Sequence, residues 1–334
     1  MNMQTEHWLP IVFIGLMGLS ILIYAILDGY DLGVGLLMAD ASAAHRDQMI
    51  ASIGPFWDAN ETWLVLGVGI LLVAFPAAHG MVLTSLYTPV AIMLAALILR
   101  GVSFEFRVKA RVRYKSLWDR LFWFGSLITA LSQGYMLGRY ITGFEDTTGA
   151  QLFSLLSAVC VTAAYGLIGA SWLIMKTTET LQIKAVGWAR HGLYFTVAGL
   201  LAVSIVNPWV NSRIFDKWFS WPNILLLSPL PLLTAFTAIT IHRQLKKLPR
   251  AHDAGCWIPF AGSVGIFILA FTGLAFSFYP YVVPDKIDIW QAASASESLM
   301  VILWGVIVVL PAILTYTAFS YWIFRGKSTP LQYL

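Results

Sequence analysis

Asp28 and Asp31 stand three residues apart in ILIYAILDGYDLGVGLLM, residues 21–38, an apolar run with no other charge. A carboxylate at the centre of a bilayer costs about 2.5–3.5 kcal/mol on insertion scales, so acids in such a run mark a proton or ion route, or a charge pair. Residues i and i+3 share a helix face, so both acids point the same way. An interfacial placement is the alternative. Asp28 lies twenty residues beyond Trp8, about 30 Å along a helix and close to one hydrocarbon thickness. Against it, LGVGLLMA continues apolar past the acids, and a helix ending there would set its negative dipole end beside them. Gly29 and Gly33 form a small-xxx-small pair that admits a neighbouring backbone, and Gly15, Gly18 and Gly35 extend that character.

Two further clusters follow. GPFWDANETWL, residues 54–64, places Asp58, Asn60 and Glu61 at the start of the next apolar segment. Asp58 with Glu61 three residues on is the pattern of a helix cap with its capping-box partner. The same groups could equally join Asp28 and Asp31 at one mouth, because a cap leaves a carboxylate oxygen free. LRGVSFEFR, residues 99–107, then brings Arg100, Glu105 and Arg107 to a third helix end. Arg100 is a counter-ion for one of the acids, and simple pairing of Arg100 with Glu105 is the alternative reading.

The elements that must position these groups follow from composition. Of 334 residues, 58% are hydrophobic and 11% charged, against about 25% charged in soluble domains; the mean hydropathy is +0.74. The expected fold is an all-α membrane protein forming one integral domain over 1–334. Nine transmembrane helices are placed near 8–38, 61–80, 82–100, 119–141, 152–175, 191–209, 222–242, 256–280 and 297–324. Two four-helix bundles plus one peripheral helix are the natural division. Seventeen of the 21 Lys and Arg residues fall on one set of alternating loops and four on the other. By the positive-inside bias this sets the N-terminus in the periplasm and the C-terminus in the cytoplasm. MNMQTEHW lacks the positive n-region of a secretory signal, so the first segment reads as a retained helix. The basic balance is thus a matter of topology, and no nucleic-acid partner is expected.

No metal or nucleophile motif appears, and Cys160 and Cys256 have neither disulfide nor ligand spacing. His7, His45, His79, His191, His242 and His252 read as interfacial side chains, with His79 and His191 the least easily dismissed as haem ligands. No redox centre of its own is expected in this chain.

At these motifs the sequence resembles subunit II of cytochrome bd-type quinol oxidases. DGYDLGVG resembles the family's first signature, GPFWDANETWL its second (usually with Gly where this chain has Ala59), and LRGVSFEFR the Arg-containing stretch after the third helix. YPYVVPDKIDIWQAASASESL, residues 279–299, resembles the segment joining the last two helices, with Gln291 where many members carry Asp. The compact length is similar to that of the cyanide-insensitive branch. The resemblance implies a non-haem subunit in the bacterial cytoplasmic (inner) membrane, paired with a subunit I that holds haems b and d. The complex would couple quinol oxidation to reduction of dioxygen to water with cytoplasmic protons. It leaves room for a small single-helix accessory subunit, for lipids and for a structural quinone. It implies a proton path through Asp28 and Asp58, with Asp31 and Glu61 as secondary members, and Trp57, Asn60, Arg100, Glu105, Gly29 and Gly33 in supporting or subunit-contact roles. Beside this stand two other classes: a transporter or channel using the acids as ion ligands, and a purely structural membrane partner.

Overall fold

The computed structural model describes residues 3–210, 212–250 and 253–328, so His252 lies outside the described residues. The chain runs through α1 (Met3–Leu37), a 3-10 turn (Met38–Asp40), α2 (Ala43–Ile53), α3 (Trp57–Ala74), α4 (Pro76–Lys109), α5 (Val112–Ile141), α6 (Thr148–Lys176) and α7 (Glu179–Val210). It continues with α8 (Ser212–Phe219), α9 (Asn223–Leu227), α10 (Pro229–Leu245), α11 (Ile258–Phe278), a β1–β2 hairpin (Tyr281–Val283, Ile287–Asp288), α12 (Ile289–Ala292) and α13 (Ser296–Ile323).

Among the described residues, eight helical segments are long and apolar enough to cross a membrane: α1, α3, α4, α6, α7, α9 with α10, α11 and α13. The 30-residue α5 falls outside that class because Ser126, Thr129, Ser132 and Gln133 interrupt its apolar stretch. The first three of these are buried, so this helix keeps its polar side against protein.

Several boundaries differ from the sequence expectation: α3 begins at Trp57 rather than near 61, α4 runs to Lys109 rather than 100, α5 begins at Val112 rather than 119, and α7 begins at Glu179 rather than 191. The break between the second and third spans falls at Phe75, not at His79–Met81. Pro76 occupies the first turn of α4, where its missing N–H costs nothing, and the helix then runs unbroken through His79, Gly80 and Met81. The segment before α3 also contains a helix, α2, whose Met49, Ile50, Ala51, Ser52 and Ile53 are buried. It is too short and too polar at its start to read as a span, and it closes over the end of the bundle where the acids lie.

Helix α1 is the axis, packed against α3, α5 and α6. Its glycines make the approach possible. A Cβ on Gly33 would stand 1.9 Å from the Tyr165 carbonyl oxygen, one on Gly169 of α6 would stand 2.4 Å from the Gly33 carbonyl carbon, and one on Gly29 would meet the Tyr165 ring at 2.7 Å. The two backbones are in contact, and Gly29 and Gly33 are occupied inside the chain.

Helix α13 is the least buried of the long helices, with 6% of its apolar window inside the protein. It is held at its ends. Beyond Phe324 the chain folds back onto the α6–α7 turn: Lys176 Nζ donates to the carbonyls of Phe324 and, at 3.1 Å, Gly326. Ser328 N donates to Lys176 O at 2.8 Å, and Lys327 pairs with Asp253 at 3.0 Å. The Gln182 hydrogen bond, together with the bond and charge of Lys327, holds the Asp253 carboxyl below the usual carboxylate range. A depressed carboxyl favours the folded form above its unfolded value. The Lys327–Asp253 pair is therefore intact at neutral pH and weakens below about pH 4 as the carboxylate takes up a proton.

Replacing Gly33 with Val drives a branched side chain into backbone that cannot yield locally. Overpacking costs about 1–3 kcal/mol even where the neighbours are flexible side chains. Gly33→Val is expected to lose most of the detergent-stable protein, measured as monodisperse yield, whereas Gly15→Val, with open space around it, keeps it.

Candidate functional site

The acids gather where α1, α3 and α4 meet, beneath α2. Asp28 and Asp31 are fully buried, and so is Arg100, with 1% of its side chain exposed. Arg100 Nη2 lies 2.5 Å from Asp28 Oδ1 and 2.9 Å from Glu61 Oε1, so one guanidinium nitrogen is shared between two carboxylates. Glu61 is partly open to the outside, with 28% of its side chain exposed. Asp31 Oδ2 accepts from Asn60 Nδ2 at 2.8 Å. Asp28 Oδ2 and Asp31 Oδ1 accept no hydrogen bond from any described residue, and Arg100 Nε and Nη1 donate none.

This geometry has a plain electrostatic content. Buried charges are stable only when paired and hydrogen-bonded, and here three carboxylates face one cation. The carboxylates thus outnumber the cation that Arg100 supplies.

Tyrosines line the two acids. Tyr24, one turn before Asp28, adjoins its carboxylate. Gln133 of α5 joins Tyr24 and Tyr165, donating to the first hydroxyl at 2.7 Å and accepting from the second at 2.6 Å. On the Asp31 side, Asn60 Nδ2 lies 2.9 Å from the Tyr30 hydroxyl, which is 2.6 Å from the Tyr321 hydroxyl. Tyr30 stacks on Trp172 with ring centroids 4.2 Å apart, and Phe56 stacks on Tyr321 at 4.5 Å.

The other residues singled out in the sequence divide clearly. Asp58 is exposed in the first turn of α3, outside the buried cluster. It is not the helix cap: Phe56 holds that position, with no side-chain capping bond. Glu105 is also exposed and lies 3.9 Å from Lys109, not from Arg100. Trp57 packs on Phe104 at 4.9 Å, between α3 and α4. Arg107 is buried in a separate ion cluster nearer the loops, paired with Asp119 of α5 and, at 3.0 Å, with Asp47 of α2.

Sequence reasoning missed Tyr24, Tyr30, Gln133 and Tyr321. Tyr30 was visible between the two aspartates of DGYDLG. Tyr321 lies 291 positions away from its partner, and with Thr315, Tyr316, Thr317 and Ser320 beside it in the last helix nothing local singles it out. No group of three or more His, Cys, Asp or Glu residues among the described residues could hold a metal ion. His79 is half-buried and His191 exposed.

Removing Arg100 leaves Asp28 buried without its cation, a change that costs about 3–5 kcal/mol when one partner of a buried pair is deleted. Arg100→Met is expected to abolish recovery of folded protein. The double variant Arg100→Met/Asp28→Leu should recover part of it, measured as the thermal midpoint of the purified chain or complex.

Comparison with known proteins adds an independent line. The family model described as cytochrome bd terminal oxidase subunit II matches residues 9–324. The cytochrome bd-I ubiquinol oxidase subunit 2 of Escherichia coli K12 is 26% identical over 357 residues, spanning 94% of this chain and 93% of the relative. The cytochrome bd ubiquinol oxidase subunit 2 of Bacillus subtilis is 27% identical over 323 residues, spanning 90% and 91%. Among solved structures, a chain of the bd oxidase from Geobacillus thermodenitrificans superposes with a TM-score of 0.79 at 16% identity, spanning 95% of this chain and 98% of that one. This last likeness is one of fold.

Proposed function

The chain belongs to the cytochrome bd terminal oxidase subunit II family, and from that premise we propose that its buried acid cluster is the cytoplasmic mouth of a proton path serving oxygen reduction in a partner subunit I. The observation that carries this reading is the single guanidinium of Arg100 shared by Asp28 and Glu61, with Asp31 alongside. The chain then spans the membrane nine times, α5 included, with its N-terminus in the periplasm. The asymmetry of Lys and Arg supports that direction. The haems b and d belong to subunit I, where quinol oxidation and reduction of dioxygen to water take place.

Within this chain the residues divide the work by exposure. Asp58 and Glu61 are one turn apart at the start of α3, the first exposed and the second half-buried. Asp58 collects a proton at the surface, Glu61 passes it inward, and Asp28 holds it against the partner-facing interior. Arg100 keeps Asp28 and Glu61 close enough to exchange a proton. Asp31 is a second acceptor beside Asp28. Trp57 and Phe104 close the α3–α4 side against bulk water.

A structural quinone is a separate question of fit. The groove between α1, α3 and α13, about 290 Å³, is lined by residues such as Leu16, Leu66, Ile70, Val306 and Ile313. Its one hydroxyl, on Ser20, already donates to Leu16 O. The groove suits an acyl or isoprenoid chain and offers no partner for a quinone head, so no step is assigned to a quinone there.

Asp28→Asn and Asp58→Asn test the reading in the purified complex. Loss of a positioned proton-transfer group is expected to slow quinol-driven oxygen consumption about tenfold or more, with haem absorption bands unchanged. Assembled variants with full turnover and full charge separation would refute the proton path. Loss of the haem bands would instead make the acids assembly elements.

A further inference from the structure

The last helix barely packs against the rest of the chain, yet Tyr321 on α13 reaches the centre of the acid site. Its hydroxyl lies 2.6 Å from that of Tyr30 and donates to Asn60 Oδ1 at 3.2 Å, while Asn60 Nδ2 lies 2.9 Å from the Tyr30 hydroxyl. These three contacts form a closed ring. An amide nitrogen only donates and an amide oxygen only accepts, so the ring runs one way: Asn60 N–H to Tyr30, Tyr30 O–H to Tyr321, Tyr321 O–H to Asn60.

The ring takes one of the two Asn60 N–H bonds. The other is directed at Asp31 Oδ2, 2.8 Å away, in preference to the Leu27 carbonyl at 3.4 Å. The reverse amide orientation would set an acceptor oxygen against a buried carboxylate. Asp31 Oδ1 accepts from no described residue, so the Asn60 bond is the one donor that this chain's described residues offer Asp31.

We propose that Tyr321 is a positioning residue for Asp31. Through the ring it holds the Asn60 amide in the orientation that donates to Asp31, and α13, fastened by the tail latch at Lys176 and Asp253, thereby sets how readily Asp31 holds and releases a proton. The inference rests on the proton-path reading above. The titratable and charged groups around the ring and Asp31 are Asp28, Tyr30 and Asp31 on α1, Glu61 on α3, Arg100 on α4 and Lys176 on α6, whose Nζ lies 5.5 Å from the Phe56 ring under Tyr321. Asp253 stays ionised between about pH 5 and 9, and the Asp31→Asn background, which leaves the tail in place, separates an effect at Asp31 from release of the tail.

The test is a cycle of variants in the whole oxidase complex: Tyr321→Phe, Asp31→Asn and the two together, with Asp28→Asn in the same series. Haem absorption reports assembly, and quinol-driven oxygen consumption is read from pH 5 to 9. Tyr321→Phe keeps the ring stacked on Phe56 and removes only the hydroxyl. It is expected to lower turnover about fivefold, the equivalent of one net hydrogen bond, and to displace the pH profile. In the Asp31→Asn background it should add nothing, because the group it positions is already changed.

An equal loss in both backgrounds would place the effect of Tyr321 elsewhere and overturn the proposal. Unchanged turnover and pH profile in assembled Tyr321→Phe would overturn it as well. Should Tyr321→Phe fail to assemble, Tyr30→Phe breaks the same ring and must give the same non-additive loss, or the proposal falls. Asp28→Asn separates the two levels: if it slows turnover while the ring variants do not, only the positioning role is refuted. If Asp28→Asn keeps full turnover, the proton-path reading itself is refuted.

Discussion

A guanidinium with 1% of its side chain exposed, in a chain that is 58% hydrophobic, is the constraint on which the rest of the structure depends. An isolated charge there would not survive folding, so carboxylates must reach it from neighbouring helices. Asp28 comes from α1 and Glu61 from α3, and Arg100 itself from α4. The three helices are thereby fixed in rotation and height. Such close approach needs a central helix without bulk at its contact positions, and Gly29 and Gly33 let α1 lie directly on α6. The acids that balance Arg100 also exceed it. A cluster arranged for pairing alone would need one carboxylate for one cation.

Much of this site was legible in local sequence. DGYDLGVG shows the acid pair and the small-residue seam together, and Arg100 was identifiable as a counter-ion because it closes an apolar run. Helix phase separates the residues that were grouped too broadly. Glu105 is five positions after Arg100, about 140° around the helix, and accordingly faces outward. Arg107, seven positions on, returns to nearly the same face and is buried. Asp58 stands in the first turn of α3 because the helix begins at Trp57, earlier than the apolar run suggests, and that start leaves it at the surface.

What the sequence could not show depends on contacts between distant segments. The hydroxyl of Tyr321 meets Asn60 across 261 positions, and nothing in the composition of α13 marks that tyrosine apart from its neighbours. The polar face of α5 is similar: Ser126, Thr129 and Gln133 weaken the apolar signal of a helix whose polar groups are satisfied or sheltered by α1, α4 and α6. The break at Phe75 depends on Pro76 starting a helix, which a search for apolar windows treats as one more residue in a continuous run.

On the proposed reading, this subunit supplies protons to chemistry carried out in its partner. Its ionisable groups are concentrated near one end of the bundle and graded from exposed Asp58 through half-buried Glu61 to buried Asp28. The most direct test of that gradient is the timing of proton uptake during a single turnover. The fully reduced complex would be mixed with oxygen, with a pH indicator on the cytoplasmic side and haem oxidation followed in the same trace. In Asp28→Asn the account predicts that proton uptake lags well behind its wild-type rate while the initial oxygen reaction at the haems proceeds normally. Uptake as fast as in the wild type, in a fully assembled variant, would contradict it.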